Sequence, residues 1–249
     1  MIIIDLKNNL AEIVQTDYRT AEVFKKLHLS FCCGAAMTLA SACEAKHIDP
    51  AMVSKELLKA TRNFRMSNKL PFHEWKIDFL IDFISNVHHE FILRVLPGLI
   101  TSLNSFAAGH SEKYPEIIRV AEIVNKLSNA ETEGILHAEK IIFPYVRQLD
   151  MAFQNKDFHM NRSEKAASNP LNGIGLENPE VQDLLNELNK VSGDFSITNL
   201  CSSYQVLIHR LKELNENIDQ HLYLQNEILI PKAMAMEDKM LHSWEAMGN

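Results

Sequence analysis

The sequence has few of the residues that interrupt helices, with only 8 glycines and 8 prolines among 249 residues. Alternating runs of β-branched residues, which are typical of strands, are also scarce. A chain with few turn-forming residues and few strand patterns is expected to fold into helices. The sequence therefore predicts an all-α protein.

Other scarcities exclude several classes of protein. No apolar run approaches the roughly 20 residues that cross a membrane, and the start of the chain lacks the basic region and cleavage site of a signal peptide. The 4 cysteines, two of them adjacent, do not form the disulfide framework of a small secreted domain. The net charge is −7 with both signs scattered, whereas a nucleic-acid-binding protein needs a basic face. We expect a cytoplasmic protein that binds neither nucleic acid nor membranes.

The composition that remains is that of a soluble globular protein. Hydrophobic residues make up 46% of the chain and charged residues 23%, which is enough apolar material for a sizeable core. The length fits one large domain, or one small domain followed by a medium one.

The first part of the chain predicts a small helical domain over residues 1–65. Short helices are expected over residues 20–27 and 37–43, and a third begins at Asp49 and Pro50. Aspartate is a good N-cap and proline fits the first helical position. Residues 62–72 are polar and include Pro71, so we place a linker over residues 66–76.

The rest of the chain predicts four longer amphipathic helices, because apolar residues recur at helical spacing. These helices cover about residues 73–108, 115–150, 179–192 and 198–230. The stretch 151–175 has little periodicity and is expected to form a loop. The pattern predicts an up-down four-helix bundle over residues 77–234, with a C-terminal tail over residues 235–249.

Two adjacent histidines, His88 and His89, lie in the middle of the first long helix. Histidine is intermediate in burial, so a hydrogen-bonded or exposed role is the more common one. The alternative is a metal ligand inside the bundle. Which role applies depends on whether other helices bring partners to these imidazoles.

A cysteine pair, Cys32 and Cys33, is predicted between two short helices. A helix N-terminus lowers the pKa of a thiol, so one of the pair could be a reactive thiolate. A bond between neighbouring cysteines would be strained, because their Cα atoms lie only about 3.8 Å apart. Free cysteine is also commonly buried, so two small buried side chains at a turn are the other interpretation.

The chain resembles the iron–sulfur-cluster repair di-iron proteins, which have a small Cys-Cys domain followed by a hemerythrin-like bundle. The landmarks of the small domain are residues 31–34 (Phe-Cys-Cys-Gly), Leu39, residues 42–43 (Ala-Cys) and residues 47–49 (His-Ile-Asp). The landmarks of the bundle are His88, His89, Pro97, His110, residues 142–144 (Ile-Phe-Pro), residues 201–204 (Cys-Ser-Ser-Tyr), His221 and Pro231.

The resemblance implies a protein that repairs iron–sulfur clusters after nitric oxide or oxidative damage, with a non-haem di-iron centre in its bundle. In the family, histidines come from the first and third helices and His-x-x-x-Glu pairs from the second and fourth. Residues i and i+4 share a helix face, so each pair presents a nitrogen and an oxygen to the metals. The carboxylates can bridge two irons and offset their charge.

This sequence departs from the family pattern at most ligand positions. His89 and His221 keep the histidines of the first and fourth helices. The remaining positions carry residues that are not the family's ligands, namely Gly134, Ala138, Asn178 and Gln225. The resemblance therefore implies a di-iron site that is degenerate, mononuclear or absent. We also expect Gly134 and Ala138 to allow close helix packing.

Substitute ligands are available on the second long helix. Glu133 and His137 form the family's pair in reverse order and could supply an oxygen and a nitrogen. Weaker candidates are Glu90, Glu131, Glu139 and Glu227.

Three functional hypotheses follow from the resemblance and these departures. In the first, His89 and His221, with Glu133 and His137 as weaker candidates, bind one metal weakly, while Cys32 and Cys33 exchange thiols or iron with damaged iron–sulfur proteins. In the second, the chain is a metal-free interaction protein that keeps the fold. In the third, the Cys-Cys domain binds a soft metal or cluster while the bundle serves as a dimerisation scaffold. We expect a homodimer, and metal delivery or interaction rather than enzymatic turnover.

Overall fold

The computed structural model describes residues 4–31, 37–61, 70–156, 170–171, 179–198 and 200–246. Within these ranges the chain is built from helices and contains no strand, apart from a single bridge between Asn9 and Thr38. The prediction of an all-α protein with a helical bundle is confirmed.

The chain divides into two compact units, and each includes a segment from the C-terminal half. The first unit comprises Met1–Asn68 and Ser192–Glu213, and the second comprises Lys69–Val191 and Leu214–Asn249. A long helix near the C-terminus, Ser202–Leu222, contributes residues to both units. The sequence pattern did not indicate that part of this helix groups with the N-terminal residues.

The described part of the first unit contains four short helices, three of which begin at a capping side chain. They are α1 (Leu10–Thr16), α2 (Thr20–Lys26), α3 (Leu39–Lys46) and α4 (Pro50–Ala60). The side chains of Asn9, Thr38 and Asp49 accept hydrogen bonds from backbone amides in the first turns of α1, α3 and α4. The predicted start of a helix at Asp49 and Pro50 is confirmed, because Asp49 is the N-cap and Pro50 the first helical residue.

The core of the first unit is almost entirely apolar. Phe24, Leu39 and Leu57 are fully buried at its centre, and Val206 from the C-terminal half packs with them. This one cluster therefore joins the short helices, none of which could bury a full apolar face alone.

The second unit is built from long helical segments. In the first segment, α5 (Ile77–Phe83) continues through Ile84–His89 into α6 (Glu90–His110), and in the second, α7 (Glu116–His137) continues through Ala138–Ile142 into α8 (Phe143–Gln154). The third segment is the single helix α9 (Pro179–Val191). In the fourth, α10 (Ser202–Leu222) continues through Tyr223–Leu229 into α11 (Ile230–Ala246). Helix α6 packs on α7, α7 on α9, and α8 on α11.

The structure differs from the predicted linker and tail at both ends of the second unit. Phe72 and Trp75, placed in the predicted linker, pack against the core of this unit. Helix α11 runs to Ala246, and its residues Glu237 and Met240 are buried, so residues 235–246 are not a tail. Apolar residues in both segments cover the ends of the long helices, where they remove surface from water.

Three π-helical segments interrupt the long helices, at Ile84–His89, Ala138–Ile142 and Tyr223–Leu229. The last two are followed closely by Pro144 and Pro231. Proline clashes with the carbonyl four residues earlier in an α-helix, and in both cases that carbonyl lies inside the wider π-helical segment. Such segments are rare and often occur at functional sites.

One described helix, Ile77–His110, is long and apolar enough to cross a membrane by length and composition alone, with a mean hydropathy of 1.4 in its most apolar window. The core helix of a soluble protein passes the same test. Two buried imidazoles, His88 and His89, lie in its middle, and polar side chains inside a membrane are costly. We therefore interpret this segment as one of the packed helices of the second unit and not as a membrane span.

Candidate functional site

The structure brings together the two histidines that keep family ligand positions. His89 lies at the end of one π-helical segment, and His221 lies just before another. Both are buried, and their Nε2 atoms lie 3.2 Å apart although the residues are 132 positions apart in the sequence. The two rings are nearly perpendicular, at 87°. The pair therefore forms a buried two-nitrogen centre within the second unit.

A carboxylate lies behind each of these rings. Glu139 Oε1 is 2.8 Å from His89 Nδ1 and accepts its hydrogen. Glu131 Oε2 is 3.7 Å from His221 Nδ1, slightly beyond hydrogen-bond distance. The Glu139 side chain is 43% exposed and that of Glu131 only 2%. Both carboxylates thus face the outer Nδ1 edges of the imidazoles, and neither lies between the two Nε2 atoms.

Burial sets the protonation of the centre. Loss of solvent lowers the pKa of His89 to about 4 and that of His221 to about 3, with the neighbouring histidines adding to both shifts. Burial also raises the pKa of Glu131 to about 7. Both imidazoles are therefore neutral at neutral pH. The half-exposed Glu139 does not reverse the shift at His89.

The contacts assign the protons of the neutral centre. His89 carries its hydrogen on Nδ1, toward Glu139, so its Nε2 is a bare acceptor. The 3.2 Å contact then requires His221 to donate from its Nε2, which leaves His221 Nδ1 as a bare nitrogen facing Glu131. The structure thus places a proton between the two Nε2 atoms.

His88 faces a different group of residues. Its Nδ1 lies 3.2 Å from Asn217 Oδ1, and its ring meets Phe83 edge-on. Burial lowers the pKa of His88 as well. Of the two adjacent histidines, the structure therefore brings His89, and not His88, to His221.

Several buried polar atoms around the centre have no hydrogen-bond partner among the described residues. They are His88 Nε2, Glu131 Oε2, Asn215 Oδ1, His221 Nδ1 and Gln225 Oε1. Buried polar groups are nearly always paired, because leaving one unpaired costs about 1–3 kcal/mol. Two of these atoms, His221 Nδ1 and Glu131 Oε2, face one another at 3.7 Å.

The predicted pair Glu133 and His137 is not brought to His89 and His221. Both side chains are exposed, because the buried face of this helix passes through Glu131, Ile135 and Ala138. In the folded chain Glu133 and His137 are therefore placed on the solvent side of the helix.

The expectation of close packing at Gly134 is wrong. This glycine is exposed, and a Cβ added to it would meet nothing within 4 Å. Ala138 is buried, as expected.

Glu131 and Glu139, which the sequence ranked among weaker candidates, are the carboxylates at the centre. A signal for them was present, since each lies four residues from Ile135 on the apolar stripe and therefore shares its face. A position on the buried apolar stripe therefore predicted the carboxylates near His89 and His221 better than the reversed family pair did.

Several predicted residues lie outside the described ranges, namely Cys32, Cys33 and Asn178. Cys43 is described, and its thiol is fully buried in the first unit, where burial raises its pKa. A buried thiol of raised pKa is poorly reactive. Among the described residues, no three His, Cys, Asp or Glu side chains form a group that could hold a metal ion.

Comparison with known proteins covers both units. Residues 6–61 match ScdA_N, a domain of unknown function (DUF542). Along 92% of its length, the chain matches proteins whose name states a role in iron–sulfur cluster repair. The chain resembles the iron–sulfur cluster repair proteins.

These relatives are the iron-sulfur cluster repair protein YtfE from several bacteria. The protein from Escherichia coli O81 (strain ED1a) is 23% identical over 232 residues, which cover 92% of this chain and 97% of the relative. Those from Shigella boydii serotype 4 (strain Sb227) and Escherichia fergusonii are 22% identical with the same coverage. The predicted resemblance to this family is thus confirmed at low identity.

Proposed function

We propose that this chain is a cytoplasmic protein that repairs iron–sulfur clusters damaged by nitric oxide or oxidants, and that it binds or delivers iron as cargo. The observation that carries the proposal is the similarity to cluster-repair proteins across 92% of this chain and 97% of the relative. A shared domain alone would support less, because residues 6–61 match a domain of unknown function.

The second unit is the proposed iron-handling part. Its long helical segments fit a hemerythrin-like four-helix bundle, with the His89 and His221 nitrogens inside it. Imidazole nitrogen is a suitable ligand for iron. Two protein nitrogens are few for tight retention, which suits a protein that releases its metal.

Cys32 and Cys33 are the proposed site of thiol or iron exchange with a damaged iron–sulfur protein. They lie within the segment that matches ScdA_N, and the other cysteine of that segment, Cys43, is buried. We further propose a homodimer that binds neither nucleic acid nor membranes, consistent with a net charge of −7.

The second candidate function is a metal-free interaction protein. Its support is that the two imidazoles can satisfy one another by sharing a hydrogen bond, while Gly134 and Ala138 carry no ligand atoms. In that case the first unit acts on the client while the second contributes only its surface.

Reactivation of a purified [4Fe–4S] dehydratase tests the proposal. The enzyme is inactivated with nitric oxide under anaerobic conditions, and activity is followed after adding Fe(II) and thiol with or without this protein. We expect faster recovery with the protein. The double variant Cys32→Ser and Cys33→Ser should lose the gain, whereas the control Cys43→Ser, at a buried site, should keep it if folded.

Recovery no faster than with Fe(II) and thiol alone contradicts the proposed repair function. Recovery that is unchanged in the double variant contradicts the role of the cysteine pair. Equal recovery with wild type and with folded His89→Ala, both in the presence of Fe(II) and thiol, favours the metal-free alternative.

A further inference from the structure

We infer that the second unit forms a homodimer in which α6 packs antiparallel against α6 of a second copy of this chain. The contact surface is the outer face of α6, which comprises the exposed residues Glu90, Leu93, Arg94, Pro97, Gly98 and Thr101. The inference rests on the proposed function, because it specifies the surface of the homodimer that is proposed there.

The outer face of α6 is poor in charge for a helix surface that faces solvent. Glu90 is the only acidic residue of this 21-residue helix, and Arg94 is its only arginine or lysine. The most apolar window of the segment Ile77–His110 is only 28% buried, whereas the core helix of a soluble protein is mostly buried. On α7, by contrast, exposed positions carry charges such as Lys126 and Glu133. Since apolar helix surfaces normally pack against another element, we expect the outer face of α6 to have a partner.

Two hydroxyl groups at this face are already hydrogen-bonded within the helix. Thr101 Oγ1 donates to the carbonyl of Pro97 at 2.9 Å, and Ser102 Oγ donates to the carbonyl of Gly98 at 2.8 Å. A second helix that covers these hydroxyls therefore leaves neither donor unsatisfied. Gly98 has no side chain, so a second helix can approach the backbone closely at this position.

The two charges of the outer face are complementary to the same two charges in a second copy. Glu90 and Arg94 are exposed, and none of the ion pairs among the described residues includes either of them. They lie about 6 Å apart along the helix axis. A two-fold axis midway between them places Glu90 opposite Arg94 of the partner subunit, and the symmetric pair forms at the same time. Parallel helices in register would instead bring like charges together, which is unfavourable.

The apolar residues of the outer face are covered in the same arrangement. Leu93 is 41% exposed and lies between the levels of Glu90 and Arg94, so a partner helix that pairs the charges also covers Leu93. Pro97 follows one turn later on the same face. Removing both side chains from water favours association. The contact is limited to a helix about 32 Å long and is smaller than a standard interface, so we expect a dissociation constant in the micromolar range.

A membrane surface and an unrelated protein fit this face less well. A helix that lies on a membrane surface has a polar face rich in lysine and arginine, whereas α6 has Arg94 alone and the chain has a net charge of −7. An unrelated protein would need its own pair of opposite charges at the matching spacing. A second copy of this chain supplies that pair by symmetry.

Sedimentation velocity of the full-length protein over a range of concentrations tests the inference. We expect reversible dimerisation with a dissociation constant of about 1–100 μM. Glu90→Arg and Arg94→Glu each give the outer face two like charges and should raise this constant by more than about tenfold. An equimolar mixture of these two variants should dimerise like wild type, because opposite charges meet again. The double variant Glu90→Arg and Arg94→Glu should do so for the same reason.

Matched controls are available at exposed positions of α7. Glu133→Arg and Lys126→Glu make the same kinds of charge change and should leave the dissociation constant unchanged. Circular dichroism and thermal unfolding check that each variant folds. In about 1 M salt the difference between wild type and the two charge-reversal variants of α6 should shrink, because salt screens exposed charges.

A dimer that both charge-reversal variants keep at wild-type affinity overturns the inference but leaves the proposed homodimer standing. Single variants that stay monomeric when mixed also overturn it, because the antiparallel contact requires them to pair. A wild type that stays monomeric to about 200 μM overturns the inference and contradicts the proposed homodimer.

These failures are distinct from failure of the proposed repair role. Folded variants that are monomeric but speed recovery of the damaged dehydratase leave the repair role standing and support the surface. A wild type that dimerises through α6 but does not speed recovery supports the surface and contradicts the repair role.

Discussion

The cores of the two units differ in whether their buried polar groups have hydrogen-bond partners among the described residues. In the first unit, the buried hydroxyls of Thr20 and Thr61 donate to the carbonyls of Asp17 and Leu57. In the second unit lie all the buried side-chain atoms that lack partners among the described residues, including those of His221 and Glu131. The described buried hydroxyls of the first core are therefore paired, whereas several buried polar atoms of the second core are unpaired and lower its stability.

The largest expected effect comes from breaking the apolar core. Phe24 is fully buried in the first unit, so Phe24→Ala should lower the free energy of unfolding by about 3–5 kcal/mol through lost burial and a cavity. Urea unfolding measures this change. Phe79→Ala removes a ring in the second unit that is 52% exposed but packs on Trp75, and should lower the free energy of unfolding by only about 0.5–1.5 kcal/mol. Equal losses of unfolding free energy in the two variants would show that burial does not determine the cost of removing these two rings.

Acid should destabilise the second unit of the metal-free protein more than the first. The pKa is about 4 for folded His89 and about 3 for folded His221, against 6.5 for the unfolded model value. Between the folded and unfolded pKa values, the unfolded state binds more protons than the folded state. The stability that the neutral imidazoles contribute is therefore fully present above pH 6.5 and is lost as the pH drops. We expect the two imidazoles to cost about 2–4 kcal/mol by pH 5, of which the raised pKa of Glu131 in the same unit offsets a part.

Amide hydrogen exchange measures this acid effect in each unit separately. Protection should fall in α6 and α10 near His221 while it persists around Phe24, because no described histidine of the first unit is fully buried, and His209, whose pKa is also lowered, is only partly buried there. A parallel loss in both units would contradict the assignment of the acid sensitivity to the two imidazoles.

Glu131 should have the opposite pH dependence. Its folded pKa of about 7 lies above the unfolded value of 4.5, so its contribution is fully present below pH 4.5 and is lost as the pH rises through 7. Relative to wild type, Glu131→Gln should therefore gain stability between pH 5 and 8, by about 1–3 kcal/mol. Thermal unfolding of metal-free wild type and metal-free Glu131→Gln at several pH values measures this gain in stability. Glu133→Gln, an exposed control, should show no such trend.

The smallest effect should come from a helix cap in the first unit. The Asp49 side chain accepts a hydrogen bond of 2.9 Å from the amide of Ala51 at the start of α4. Asp49→Ala should lower the free energy of unfolding by about 1 kcal/mol. Asp49→Asn keeps the acceptor and should restore most of it. No loss in urea unfolding of the alanine variant would show that this cap adds nothing to the first unit.

Much of the fold could be predicted because local signals agreed with one another. The N-cap at Asp49, the apolar periodicity of the long helices and the scarcity of turn residues all favoured helix, and the helices formed. The prediction places a tail over residues 235–249 and ends the fourth long helix near residue 230, just before Pro231. The π-helical segment before it accommodates the proline, and the helix continues to Ala246.

The candidate site was only partly predictable. Family positions identified His89 and His221 and also indicated the emptied positions at Gly134 and Ala138. They pointed to Glu133 and His137 as substitutes, but these side chains are exposed. The apolar stripe through Ile135 indicated the helix face of Glu131 and Glu139, but helical spacing within one segment cannot show which imidazole each carboxylate faces, and this needed the packed structure.

The sequence by itself determined the helical class, the helix cap at Asp49 and the two histidines that remain from the family pattern. Those properties depend on neighbouring residues and on matching motifs. Only the tertiary structure decided that the Nε2 atoms of His89 and His221 lie 3.2 Å apart and that Glu131 and Glu139 stand behind them. Distances and pKa shifts arise from burial among several helices, and no single stretch of sequence encodes them.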